Sequence, residues 1–153
     1  MVAERQRSQT SLYSQDYVAW VEQTVAQLKA QDFGQVDWEN LIEEVADMSR
    51  RERRRLESNL IVILLHLLKW QYQPHQRSGS WKSSLREHRR RVNRDLTDSP
   101  SLNPYLLDIW ESCYREARNQ AADETGLAVD GFCEACPYTV QQVLDTDFLP
   151  QNL

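Results

Sequence analysis

Apolar residues recur every three or four positions along most of this chain, and the breaks in that rhythm mark out helices. Tyr17, Val21, Val25 and Leu28 form one stripe of a helix predicted from about Ser14 to Ala30, with Trp20 beside it. "DFGQVD" ends it, and Gly34 is placed to be its left-handed cap residue. A second helix opens at Asp37, a good capping residue, with Val36 and Leu41 at the spacing of a hydrophobic staple. Nothing interrupts it before "QPH", so it extends to about Tyr72, on the order of 50 Å. A third helix covers roughly Ser80 to Leu96. A fourth starts in "SPSLNPYLL", with Ser99 or Ser101 as cap, and ends at Gly126. Thr139 and Gln142 form a capping box for a short fifth helix, with Tyr138 and Val143 as its staple.

The second and third helices carry matching seams. Leu56, Leu60, Ile63, Leu67 and Trp70 line one; Trp81, Leu85, His88, Val92 and Leu96 line the other. Folding at "QPHQRSG" sets Trp70 against Trp81, Leu67 against Leu85, Ile63 against His88, Leu60 against Val92 and Leu56 against Leu96. The residue numbers of every pair add to 151 or 152, as one fixed turn centre requires, so an antiparallel helical hairpin is predicted. The fourth helix offers Leu102, Leu106, Ile109, Cys113, Ala117 and Ala121, whose small members admit a close neighbour. The expected fold is all-α: an antiparallel bundle of four main helices, one of them long and central, with a short C-terminal helix. Residues 1–12 are expected to be frayed or disordered, and 13–150 to form a single helical domain. Four glycines and five prolines are too few for an all-β fold of many turns.

Charge changes this picture by its distribution. The chain carries −5 overall, but residues 50–94 hold 13 basic against 3 acidic side chains, while both flanks are acidic. Fifteen of the eighteen basic residues are arginine, whose planar fork pairs with either carboxylate or phosphate. Arg86, Arg89, Arg90 and Arg94 are therefore the candidate nucleic-acid contacts, tracking phosphates along one helix. The competing reading is that acidic flanks neutralise the same arginines in structural ion pairs, and it is preferred.

Three cysteines cannot all pair, and "MVAERQRSQTS" has no apolar signal core, so reduced thiols and a cytoplasmic setting are expected. The run "LIVILLHLL" is too short to span a membrane.

Chemistry is thinly signalled. His66 and His88 lie on or beside the hairpin seam and are weak candidates for a metal site, though more simply core histidines satisfied by hydrogen bonds. His75 falls in the turn. Glu43, Glu44 and His66 are the candidate acid–base residues. No Glu-x-x-His pair, HExxH, phosphate loop or GxSxG elbow is present, so neither metal nor another cofactor is expected. Cys133 and Cys136 make a single CxxC without a second ligand pair, too little for structural zinc.

Taken in order, "SLYSQDYVAWVEQTVAQL", "VDWENLIEEVADMSRRERRRLESNL", "LLHLLKWQYQP", "WKSSLREHRRRV", "SPSL", "YREAR" and "CPYT" resemble a bacterial family known as domain of unknown function 29. The resemblance spans about residues 12–149. It implies a small helical domain without an assigned activity, and it marks Glu43, Glu44, His66, Lys69, Trp81 and Arg90 as recurring polar positions. Cys133 stands where the family commonly has proline, which weakens the CxxC further as a site. The sequence thus favours a non-enzymatic protein-interaction or regulatory module, meeting a protein partner or a second copy of itself. The alternative is a nucleic-acid-binding or metal-dependent, nuclease-like protein using the arginine-rich helices.

Overall fold

The computed structural model describes residues 11–152, so most of the segment expected to fray lies outside it. The described residues form six α-helices and no strand: α1 (Leu12–Gln15), α2 (Tyr17–Lys29), α3 (Trp38–Tyr72), α4 (Gly79–Asp98), α5 (Leu102–Thr125) and α6 (Val140–Leu144). The fold is all-α, with α3 the long helix and α6 the short C-terminal one. Two compact units are divided between Ser49 and Arg50, inside α3.

In the first unit, the helix expected from Ser14 to Ala30 is broken at Asp16. That residue has extended backbone, and its carboxylate accepts the Ala19 N–H at 3.0 Å. A short acidic side chain competes with helix hydrogen bonds in the interior but stabilises a helix start, so the break falls there. At the other end of α2 the left-handed residue is Gln31 (φ 57°), not Gly34, which sits in a 3-10 turn. Asp32 N–H bonds to the Gln27 carbonyl and Gln31 N–H to Leu28, the paired bonds that close a helix whichever residue takes the turn. Asp37 then caps α3 through the Asn40 N–H at 3.3 Å, with Val36 buried beneath it.

The second unit holds the main core. Leu56, Leu60, Ile63, Leu64, Leu67 and Leu68 of α3 are fully buried, together with Leu85 and Val92 of α4 and Cys113, Ala117 and Ala121 of α5. The hairpin register is as expected. Arg55 pairs with Asp95 at 2.7 Å, while Lys69 lies over the Trp81 ring and Lys82 over Trp70; these residue numbers add to 150–152. One seam position differs. Arg89, not His88, is fully buried, so the inward stripe of α4 is Leu85, Arg89, Val92 and Leu96, and His88 is half-buried beside it.

α5 runs parallel to α3, with Cys113 against the Glu57 carbonyl and Glu124 on Lys69. It opens on the backbone carbonyls of Ser99 and Pro100 rather than on a serine side chain, and closes at Gly126 with φ 73°. The chain then returns across α3 and α4. Phe132 packs on Tyr72, and the Thr139–Gln142 capping box starts α6 over a buried Tyr138 and Val143.

Candidate functional site

Three places gather polar side chains. The first is the outer face of α4. Glu87 accepts from both Arg90 and Arg91 at 2.9 Å, and these bonds hold its carboxyl down at about 2. Arg94 faces Asp98 at 3.6 Å, and Arg55 bridges Glu52 and Asp95. Arg86 is exposed and makes no hydrogen bond or ion pair among the described residues. Arg89 points inward. Its three nitrogens donate to the carbonyls of Val143 (2.8 Å), Phe148 (2.9 Å) and Gln142 (3.3 Å), a bridge between α4 and the C-terminal segment. Burial lowers its pKa, opposed by the charges of Asp145 and Asp147. The four arginines singled out from the sequence therefore share no single surface: one is inside, two are paired and one is open.

The second place lies where the end of α3 faces α4 and α5, and it brings together His66, Lys69 and Trp81. The Lys69 ammonium sits 4.6 Å from the centre of the Trp81 ring and 2.7 Å from Glu124 Oε2. His66 Nδ1 is 2.8 Å from the Val62 carbonyl, and His88 Nδ1 is 2.8 Å from that of Ser84. A carbonyl can only accept, so Nδ1–H of each imidazole is the donor in these bonds. Burial pushes the His66 pKa down and the charge of Lys69 adds to this, while the Val62 bond and the charge of Glu124 oppose it. The geometry thus sets an imidazole anchored through Nδ1 beside an ammonium held between a ring and a carboxylate. Among the described residues no three His, Cys, Asp or Glu side chains cluster as a metal site would require.

The His66 pKa makes a titration prediction. The folded imidazole releases its proton more readily than the unfolded one. The unfolded chain therefore binds more protons below about pH 6.5, and stability falls as pH falls through that window. Thermal melts from pH 7.5 to 5 are expected to slope downward with acid by at most about 1.4 kcal/mol per pH unit from this group. The slope should be shallower in His66→Gln; equal slopes would assign the acid sensitivity elsewhere.

The third place is in the first unit and holds the candidate glutamates. Glu43 is exposed, whereas Glu44 is buried and accepts from Tyr13 (2.6 Å) and Tyr17 (2.8 Å). The bond to Glu44 raises Tyr13 to about 12. The two tyrosines and Trp20 stack edge to face or tilted within 5.9 Å of one another. The Trp20 indole N–H is buried without a partner among the described residues. Nothing in the sequence singled out Tyr13 as Glu44's partner, because it lies before the break at Asp16 and outside the helix the spacing predicts.

His75 is exposed in the hairpin turn. The cysteines are free: Cys113 is buried, with burial pushing its thiol up to about 12, and Cys133 and Cys136 lie in the loop before α6.

These features define a small all-helical domain with no assigned chemistry. The chain belongs to the family described as Domain of unknown function DUF29, whose model matches residues 12–149. No curated protein and no solved structure matches it. No helix among the described residues is long and apolar enough to cross a membrane.

Proposed function

We propose that this protein is an interaction module whose α3 pairs with the same helix of a second copy. The observation that carries this is the apolar stripe at the start of α3. Trp38, Ile42, Val45 and Met48 recur at three- and four-residue spacing, and the last three are 63%, 56% and 58% exposed. A seam of large apolar groups left in water favours covering, and a helical seam can cover its own copy.

Light scattering over a wide concentration range tests this. Wild type is expected to pass from one-chain to two-chain mass as concentration rises. Ile42→Asp with Val45→Asp should remain one chain throughout at an unchanged melting temperature. A wild type that stays monomeric would refute the pairing. The nucleic-acid reading receives less support, because Arg89 is buried and Arg90 and Arg94 face carboxylates. The three free thiols accord with a cytoplasmic, reducing setting.

A further inference from the structure

A cavity of about 520 Å³ lies between α5 and the loop before α6, in the second unit. Its walls include Trp110, Glu111, Arg115 and Arg118 on one face of α5 and Glu134 on the loop. The volume is ordinary for a small-molecule site. The charges around it are unusual in leaving one another alone. Arg115, Glu111 and Glu134 make no ion pair among the described residues.

Arg118 is 17% exposed and donates to the Phe132 carbonyl at 3.1 Å. The carboxylate it pairs with among the described residues, Asp130, stands 3.9 Å away and is 97% exposed, so that pair contributes little neutralisation. The Arg118 Nε–H is buried without an acceptor among the described residues. The guanidinium is thus held in place with its charge under-compensated, and it also lines a second cavity. The loop wall is also fixed. Tyr114 donates to the Cys133 carbonyl at 2.6 Å, and Tyr72 accepts the Cys133 N–H at 3.3 Å. A ligand entering here would not have to order that loop first.

We infer that this cavity binds a small zwitterion, an α-amino carboxylate with a flat apolar side group. Two guanidinium forks suit one carboxylate. Two glutamates on the same walls oppose a polyanion such as a nucleotide and give an ammonium its counter-charge. The Trp110 indole offers a face to the side group.

Titration followed by tryptophan fluorescence and by calorimetry tests this, with L-phenylalanine as the probe. Phenethylamine lacks its carboxylate, and 3-phenylpropionate lacks its ammonium. Saturable binding of L-phenylalanine is expected, weakened about tenfold or more for phenethylamine and for Arg115→Gln. Glu134→Gln should weaken L-phenylalanine but leave 3-phenylpropionate unchanged. Arg118→Met should abolish binding; should it fail to fold, the two exposed positions Arg115 and Glu134 decide. No saturable binding to the wild type would overturn the assignment. Equal affinity for phenethylamine would do the same, as would an Arg115→Gln protein of native melting temperature that binds as tightly as wild type. None of these readings depends on self-association through α3.

Discussion

Arg89→Met is expected to destabilise the protein by about 3–5 kcal/mol and to loosen residues 140–149 from the bundle. The guanidinium is fully buried, and its bonds go to three backbone carbonyls rather than to a carboxylate. A neutral side chain leaves those carbonyls without donors, and each buried unpaired acceptor costs about 1–3 kcal/mol unless water reaches it. For the buried Val143 bond, water gains access when the C-terminal segment moves off α4, taking Tyr138 and Val143 out of the core. Urea denaturation and hydrogen exchange at residues 140–149 measure the two parts of this. Arg89→Lys keeps the charge but cannot present a three-nitrogen fork, so it should fall well short of wild type. A methionine variant within 1 kcal/mol of wild type would show that the carbonyls find other donors and that the bridge is not a main support.

Leu60→Ala is the other large loss, about 2–5 kcal/mol, because the side chain is fully buried in the densest part of the core and its neighbours can close only part of the hole. Its partner across the hairpin is Val92, also fully buried. If the register is right, the pair is coupled. Leu60→Ala and Val92→Ala together should depart from the sum of the singles by about 0.5 kcal/mol or more. Strict additivity would mean that the two residues do not touch and that the hairpin is shifted.

The hairpin was legible because two separate stripes had to agree on one turn centre, and a chance match of five pairs is hard to obtain. The caps at Asp37, Gly126 and Thr139 were legible because each relies on bonds to residues within four positions. The misreadings share one cause. Gly34 and Arg89 were judged by residue type, the first as the natural turn former and the second as one charge in a charged run. In the structure position decides. Gln31 is where α2 runs out, and Arg89 occupies the four-three-four stripe of Leu85, Val92 and Leu96. That spacing stood in the sequence, but a guanidinium is admitted to a core only where acceptors arrive from elsewhere, and those come from more than fifty residues further on.

Of the candidate site, His66, Lys69 and Trp81 were marked together only as recurring polar positions by the resemblance, and their meeting, like Glu124 and the Tyr13–Glu44 bond, depends on tertiary contacts that no local pattern announces. The cavity beside Arg118 was not legible at all, since its far wall is an irregular loop.

The Arg89 bridge also sets a schedule for biosynthesis. Its principal acceptor lies 54 residues downstream, so at ordinary translation speeds α4 leaves the ribosome about 3–10 s before the carbonyls that will receive it. For that interval the guanidinium must stay hydrated, and the α4 stripe must wait with a charge at its centre. A nascent hairpin in this condition is poorly able to bury itself prematurely, either inside the molecule or against a neighbouring chain on the same message. Satisfying the Arg89 guanidinium is thereby tied to synthesis of the segment that receives it.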